Sequence, residues 1–182
     1  MPLPKESNYT IKDIYDLPEG ERAELIDGTI YDIAPPSRMH QKLVTKLTSI
    51  IDRYISENHG ACEVYSAPFA VFLNKDDKTY VEPDISVICD QNKLDDKGCN
   101  GAPDWIIEIV STGSQRMDYM TKLFKYRTVG VREYWIVDPA QEKILVYIFG
   151  NQEDFMQYSF EEEIPVGIYS EFKINISELL KQ

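Results

Sequence analysis

The sequence lacks any segment suited to a membrane or to secretion. No apolar run approaches the ~20 residues that a membrane span requires. Residues 1–11, which include Pro, Lys and Glu, have no apolar stretch like that of a signal peptide. We therefore expect a cytoplasmic protein with no membrane partner.

Cysteine is scarce and shows no metal-binding pattern. The three residues, Cys62, Cys89 and Cys99, include no CxxC pair. An odd number without such a pair fits reduced thiols and argues against both a disulfide framework and a zinc site. Cys89 lies at the end of a strand-like run, where we expect it to act as a small buried hydrophobic residue.

Basic residues are outnumbered. The chain has 19 Lys and Arg against 31 Asp and Glu, for a net charge of −12. Non-specific nucleic-acid binding depends on Lys and Arg that neutralise phosphates, so this balance argues against strong binding of that kind. A nuclease is not excluded, because a catalytic metal cluster requires carboxylates and a basic rim can be local.

Length and composition are those of one globular domain. A chain of 182 residues with 43% hydrophobic and 27% charged residues can bury a core without disulfide or metal support. The sequence has no internal repeat, low-complexity tract or interdomain linker. We expect a single domain over residues 1–182.

Helix and strand patterns alternate along the chain, which predicts an α/β fold. Thr10 can cap a short helix over residues 11–15, and Asp27-Gly28 between two alternating runs predicts a β-hairpin over residues 23–33. Apolar residues recur at helical spacing over residues 39–58. Further strands are predicted over residues 63–73, 84–89, 105–110, 133–137 and 143–149, and further helices over residues 114–128 and from Ser177.

Glu108 is the most informative residue. It is the only charge in the apolar pattern Trp105-Ile106-Ile107-Glu108-Ile109-Val110, where an uncompensated carboxylate is costly to desolvate. Asp84 follows Pro83 at the entrance of another predicted strand, where side-chain alternation lets it face a cleft. Two carboxylates that converge from neighbouring strands repel each other unless a cation lies between them.

A divalent cation between Asp84 and Glu108 would resolve this conflict and supply a reaction. It could polarise a phosphoryl oxygen, lower the pKa of a bound water and stabilise a leaving oxygen. Mg²⁺ prefers few carboxylates, completed by waters and substrate phosphates. We therefore predict Mg²⁺ as the cofactor, with Mn²⁺ as a substitute.

The predicted helix after Glu108 supplies a cationic side chain. Asp118, Lys122 and Tyr126 are spaced i, i+4 and i+8, which places them on one helix face. Because a short connection joins this helix to the strand, Lys122 can reach the metal site. There it can orient the attacking water or stabilise charge on the phosphate.

Taken together, these motifs resemble the Uma-two family of restriction-endonuclease-like proteins, which belongs to the PD-(D/E)XK nuclease superfamily. The resemblance covers roughly residues 10–180, in order and at fitting spacing. It implies a restriction-endonuclease-like mixed central β-sheet flanked by α-helices, and a Mg²⁺-dependent site that cleaves phosphodiesters. The matching elements are Ala23-Glu24-Leu25-Ile26-Asp27-Gly28, Pro35-Pro36-Ser37, His40, Ala67-Pro68-Phe69, Glu82-Pro83-Asp84, Gly101-Ala102-Pro103-Asp104, Glu108-Ile109-Val110-Ser111, Asp118, Lys122, Tyr126 and Gly130-Val131-Arg132-Glu133-Tyr134-Trp135-Ile136-Val137-Asp138-Pro139.

The resemblance also implies roles for individual residues. Asp84 matches the Asp of the family's Pro-Asp pair, and Glu108 matches its following acidic residue. The superfamily usually has a Lys two positions after that Glu, where this chain has Val110. In the Uma-two pattern the Lys lies on the next helix, which is Lys122 here. Glu24 matches an N-terminal acidic residue and is a further candidate metal ligand.

Each of these residues also has a plainer structural interpretation. Asp84 could cap a turn, and Glu108 could form a buried ion pair with an unrelated cation. Lys122 could be an exposed i+4 partner of Asp118, and Glu24 could be a solvated hairpin residue. Two further residues receive plainer interpretations. His40 shares an apolar helix face and is interpreted as a partly buried structural or substrate-side residue. Tyr126 is interpreted as a core or interface residue.

The sequence thus predicts a Mg²⁺-dependent phosphodiester hydrolase, an endonuclease acting on DNA. Asp84 and Glu108 hold the metal, Lys122 positions or activates water, and Glu24 assists. Apolar strands and aromatic residues in the C-terminal half also favour a homodimer. Two alternatives stay open. The first is a catalytically silent nuclease-fold domain that binds or regulates a partner, and the net charge of −12 favours it. The second is a metal-dependent hydrolase of a small phosphorylated molecule.

Overall fold

A six-stranded mixed β-sheet forms the centre of the protein. The computed structural model describes residues 8–111, 117–150 and 154–181. Its strands are β1 (Ala23–Ile26), β2 (Thr29–Asp32), β3 (Glu63–Ser66), β4 (Val71–Phe72), β5 (Ile85–Ile88), β6 (Leu94–Asp95), β7 (Gly98–Asn100), β8 (Trp105–Ile109), β9 (Glu133–Asp138), β10 (Lys143–Ile148), β11 (Asp154–Ser159), β12 (Ile164–Pro165) and β13 (Lys173–Ile174). The central sheet has the order β11-β10-β9-β8-β5-β3, in which β8 and β9 are parallel and the other neighbours antiparallel.

Four α-helices and one π-helical segment accompany the strands. They are α1 (Ile11–Tyr15), α2 (Arg38–Glu57), α3 (Leu123–Val129) and α4 (Ile176–Lys181), with a π-helical segment, Met117–Lys122, leading into α3. The Ser37 side chain accepts a hydrogen bond from the His40 N–H and caps α2. Gly130 ends α3 at a φ of 94°, in the left-handed region that favours glycine. Within the described ranges, no helix is both long and apolar enough to cross a bilayer.

Helices cover the two faces of the sheet. The apolar face of α2, with Leu43, Leu47 and Ile51, packs against the sheet side that carries Trp105 and Trp135, and α4 joins this cluster. The opposite side of the sheet packs against α3 in a second cluster that contains Tyr126, Ile106, Tyr134 and Ile136. Because side chains alternate along β8, Glu108 shares its face with Ile106 and is directed toward α3.

The predicted α/β architecture and the N-terminal hairpin are confirmed. Strands β1 and β2 pair antiparallel with Ile26 opposite Thr29. Their turn is Asp27-Gly28, and both residues have positive φ values of 48° and 78°, as a tight Asp-Gly hairpin turn requires.

Two stretches differ from the sequence-based prediction. The run predicted as one strand over residues 63–73 is divided into β3 and β4 at Ala67-Pro68-Phe69, since proline cannot donate to a strand ladder. Residues 90–103, for which the sequence predicted no strand, contain β6 and β7, which form a small sheet with β4. Residues 114–116, which begin the helix predicted over residues 114–128, lie outside the described residues.

The expectation that all cysteines are reduced thiols is wrong for two of them. Cys62 and Cys89 form a disulfide, and Cys99 is a free, buried thiol. The antiparallel register of β3 and β5 sets Glu63 opposite Ile88, so the residues one step further, Cys62 and Cys89, also face each other. Cys89 is partly exposed, in contrast to the buried role predicted for it.

Candidate active site

The sequence-predicted residues meet in one cleft. The cleft has a volume of about 440 Å³, and its walls come from the hairpin β1–β2, the first turns of α2, the end of β8 and the π-helical segment. All four predicted site residues line it. The charged and titratable side chains around its floor are Glu24, His40, Asp84, Glu108, Asp118 and Lys122.

Asp84 and Glu108 lie directly beside each other. Strands β5 and β8 pair antiparallel with Ile85 opposite Ile107, which brings the preceding Asp84 level with Glu108. The backbone N–H of Asp84 donates to Glu108 Oε2 at 3.3 Å, and the N–H of Ile109 donates to Asp84 Oδ2 at 2.7 Å. Each carboxylate is therefore held by the backbone of the strand that carries the other.

Glu108 is buried, with 3% of its surface exposed. Burial raises the pKa of its carboxyl well above the ordinary value, the positive charge of Lys122 opposes this shift, and the negative charges of Asp84, Asp118 and Glu24 add to it. Among the described residues, the site thus gathers four carboxylates, those of Glu24, Asp84, Glu108 and Asp118, and one buried ammonium, that of Lys122. Such a cluster favours binding of a further cation or a proton.

Lys122 lies at the centre of the carboxylates. Its Nζ is 2.8 Å from Glu24 Oε2, 2.8 Å from Glu108 Oε1 and 3.8 Å from Asp118 Oδ1. Burial alone lowers the pKa of this lysine, but the charges of Glu108, Glu24 and Asp118 outweigh burial and raise the pKa well above its ordinary value. Lys122 is therefore a permanent positive charge at neutral pH, suited to stabilising anions or orienting water but not to accepting a proton.

Burial removes two of the plainer interpretations. Lys122 and Asp118 are 5% and 2% exposed, so they are not a solvent-exposed helix pair. Glu24 is 5% exposed and is not a solvated hairpin residue; its Oε1 accepts from the N–H of Glu82 at 2.9 Å. Glu108 does form a buried ion pair, but its partner is the predicted site residue Lys122 and not an unrelated cation.

Two residues assigned structural roles from the sequence contact the predicted carboxylates directly. Tyr126 is buried in the core as expected, and its hydroxyl donates to Glu108 Oε1 at 2.8 Å. His40 Nε2 lies 3.0 Å from Asp84 Oδ2. Because an ionised carboxylate can only accept, His40 pairs with it as the donor through Nε2. Its Nδ1 is buried with no hydrogen-bond partner among the described residues. The i+4 spacing from Lys122 could have revealed Tyr126, whereas no sequence signal links His40 to Asp84.

The metal-ligating arrangement is incomplete as the side chains stand. Among the residues that the structure describes, no three His, Cys, Asp or Glu are grouped so as to hold a metal ion. Of the carboxylates that line the cleft, the three that the sequence predicted as metal ligands are those of Asp84, Glu108 and Glu24. Two of these three, Glu24 and Glu108, each direct one oxygen at Lys122 Nζ.

Comparison with known proteins identifies the family. Residues 11–174 match the model of the Uma2 family, whose description is "Putative restriction endonuclease". The match spans most of the 182 residues, and the chain belongs to the Uma2 family. The resemblance found from the motifs is thereby confirmed.

Similar proteins come from cyanobacteria. The "Uncharacterized protein sll1609" of Synechocystis sp. (strain ATCC 27184 / PCC 6803 / Kazusa) is 27% identical over 121 residues, covering 65% of this chain and 67% of that protein. The "Uncharacterized protein slr1290" of the same strain is 21% identical over 142 residues, covering 78% and 73%.

A solved structure has the same fold. The crystal structure of "a putative nuclease belonging to DUF820" from Anabaena variabilis ATCC 29413 superposes with a TM-score of 0.75 at 20% identity, covering 94% of this chain and 97% of that one. The predicted fold class is therefore confirmed. In family and in fold, the protein is restriction-endonuclease-like.

Proposed function

We propose that this chain is a Mg²⁺-dependent endonuclease that hydrolyses DNA phosphodiester bonds, with Asp84 and Glu108 as metal ligands. One observation carries the proposal: two carboxylates from paired strands lie side by side in a cleft. The family description supports nuclease chemistry. Glu24 is proposed as a further ligand, and Mn²⁺ as a substitute for Mg²⁺.

The donor set fits a small hard cation. Three carboxylates, those of Glu24, Glu108 and Asp118, contact the Lys122 ammonium, and that of Asp84 lies beside Glu108. Burial raises the pKa of Glu108, and the negative charges of Asp84, Asp118 and Glu24 add to the shift. Mg²⁺ takes few protein carboxylates and fills its remaining positions with water and phosphate oxygens. When bound, it would polarise the phosphoryl group and acidify an attacking water.

The side chains of the chain itself divide the remaining tasks. Lys122, which stays protonated, orients water and stabilises negative charge that develops on the phosphate. His40 holds Asp84 in one orientation through Nε2, and Tyr126 does the same for Glu108 through its hydroxyl.

Calorimetry and a plasmid assay test the proposal together. The wild type is expected to bind Mg²⁺ or Mn²⁺ and to nick supercoiled plasmid. Asp84→Asn should abolish both, because it removes a ligand charge while keeping the shape. The matched control is Asp96→Asn, at an exposed residue that does not line the cleft, which should leave both unchanged.

Anomalous scattering supplies a direct readout. A crystal soaked in Mn²⁺ should show an anomalous peak between Asp84 and Glu108. Failure of the wild type to bind either ion in solution, together with no such peak, would refute the proposal.

The second candidate is a nuclease-fold domain that binds or regulates a partner without catalysis. The net charge of −12 favours it, since a substrate of the same sign is repelled. In that case the wild type and Lys122→Ala would be equally unable to nick plasmid at any divalent-ion concentration. Loss of nicking confined to the variants would instead eliminate this candidate.

A further inference from the structure

Helix α2 has an unusual charge for this acidic chain. Residues 33–51 contain three basic residues and no acidic residue, although the chain as a whole has 31 acidic residues. A fourth basic residue, Arg53, follows on the same helix, and the helix's acidic residues, Asp52 and Glu57, both lie near its C-terminal end. The positive charge is therefore local and concentrated at the N-terminal part of α2.

The four basic residues of α2 lie along one side of the helix. With about 100° of rotation per residue, their positions fall within an arc of about 80°, and the first and last are ~22 Å apart along the axis. The surface is solvent-facing: three of the residues are exposed and Lys46 is half-buried. We call this surface the basic ridge; it consists of Arg38, Lys42, Lys46 and Arg53.

The ridge charges are not compensated by carboxylates. Within the described ranges, none of the four forms an ion pair with Asp or Glu. Lys42 Nζ donates to the carbonyl oxygen of Leu180 at 2.7 Å, a neutral partner that leaves its charge available. By contrast, three basic residues in and around the next helix contact carboxylates, namely Lys122, Lys125 and Arg132.

The ridge lies on the same helix that forms one wall of the cleft. The other side of α2 contributes His40, Gln41 and Val44 to the cleft lining. Of the residues that the structure describes, two Lys or Arg side chains line the cleft, and both are engaged: Lys122 by three carboxylates, and Arg22 by Glu82. In the described part of the chain, helix α2 therefore offers a polyanionic substrate positive charge that no carboxylate engages.

We propose that the basic ridge is the surface on which the phosphate backbone of duplex DNA docks beside the cleft. The inference rests on the proposed function in one respect, the choice of DNA as the polyanion. A ridge of ~22 Å spans about six base-pair steps at 3.4 Å each, so several successive phosphates can be neutralised. These contacts position the duplex and carry no sequence information.

Salt dependence of duplex binding tests the ridge. A labelled 20-base-pair duplex is titrated with protein in EDTA, followed by fluorescence anisotropy at several salt concentrations. The ridge variant is R38Q/K46Q/R53Q, which spares Lys42 because of its contact with Leu180. Each phosphate neutralised contributes about 0.9 to the log–log salt slope, so the variant's slope should be shallower by about 2 to 3, and its affinity at low salt at least about tenfold weaker.

The control variant K75Q/K78Q/K97Q removes the same charge from exposed loops. Its lysines lie next to acidic residues, at Asp76, Asp77 and Asp96, and it should bind like the wild type. The conservative variant R38K/R53K should also keep the wild-type slope. Equal loss of binding in the ridge and control variants would attribute the effect to net charge and overturn the proposal, as would a wild type that does not bind duplex at low salt.

Two further measurements distinguish DNA docking on the basic ridge from general anion binding and from the catalytic proposal. Poly-glutamate at equal charge concentration should displace the duplex poorly; equal displacement would show a general anion surface and refute the assignment to DNA. Asp84→Asn should bind duplex at least as well as the wild type while it fails to nick plasmid. If metal binding and nicking fail but the ridge variant still loses duplex binding, the ridge stands and the catalytic proposal falls.

Discussion

At the scale of single residues, the site depends on buried hydrogen bonds between side chains that are far apart in sequence. His40 and Asp84 are 44 positions apart, and Lys122 and Glu108 are 14 apart. Each contact fixes the direction in which a carboxylate oxygen points. Two predictions follow from removing one partner at a time.

His40→Ala is expected to weaken Mn²⁺ binding by about 10- to 100-fold, because a carboxylate that loses its orienting hydrogen bond becomes a poorer ligand. Calorimetry measures the affinity directly, without need for turnover. The chain contains two histidines, and His59→Ala, at an exposed position, is the matched control. Unchanged Mn²⁺ affinity in His40→Ala would show that the histidine contact has no part in metal binding.

Lys122→Met is expected to lower the free energy of unfolding by about 3–5 kcal/mol at neutral pH, because it leaves buried carboxylates without their cation. Urea denaturation measures the change. The control Lys125→Met breaks a contact to the exposed Asp27 and should lose no more than about 1 kcal/mol.

The pH dependence of the Lys122 variant has a defined sign. Removing the ammonium removes the charge that lowers the pKa of Glu108, so the folded-state pKa moves further above the ordinary carboxyl value. The folded variant then binds a proton that the unfolded chain does not. Its stability should rise as pH falls from above the raised pKa toward the ordinary value. A flat difference between variant and wild type over that range would contradict this account.

At the scale of secondary-structure elements, the small sheet of β4, β6 and β7 depends on one close approach. An added Cβ at Gly98 would lie 2.2 Å from the carbonyl oxygen of Ala70, a backbone atom that cannot move aside without displacing β4. The same carbonyl accepts a hydrogen bond from the N–H of Cys99 at 2.9 Å. Glycine is therefore required here by space as well as by its φ of 140°.

Gly98→Ala should destabilise the fold by more than about 3 kcal/mol, since it adds overlap to backbone strain. Gly150→Ala is the matched control, because Gly150 has a comparable φ of 126° and nothing within 4 Å of an added Cβ. Thermal or urea denaturation compares the two. Similar losses in both variants would assign the whole effect to the backbone angle.

At the scale of the whole molecule, the disulfide ties the start of β3, which follows α2, to the end of β5. Cys62 and Cys89 are 27 positions apart. A cross-link that closes a loop of this length restricts the unfolded chain and is expected to contribute about 3 kcal/mol. It also fixes the helix that carries the basic ridge to the strand that follows Asp84.

Thiol counting and denaturation test the cross-link. The unfolded, unreduced chain should show one reactive thiol, that of Cys99, and three after reduction. Reductant should lower the urea midpoint of the wild type and leave that of C62S/C89S unchanged. Three thiols before reduction would restore the sequence-based expectation of free cysteines.

The sequence by itself determined the order of elements and the positions of the carboxylates. Hydrophobic periodicity predicts α2 and the central strands because a buried face must repeat with the element's own period. Glu108 could be found because a single charge in an apolar strand has few explanations, and Lys122 because helical spacing links it to Tyr126. These are local signals that need only near neighbours along the chain.

Only the tertiary structure decided which distant groups meet. The contact of His40 with Asp84, the ion pair of Glu24 with Lys122 and the cross-link of Cys62 with Cys89 all depend on strand register and helix docking. A one-residue shift in the pairing of β3 with β5 would separate the two cysteines, although nothing in their sequence neighbourhood would change. The physical reason is that such contacts arise from the packing of whole elements, which composition and spacing do not encode locally.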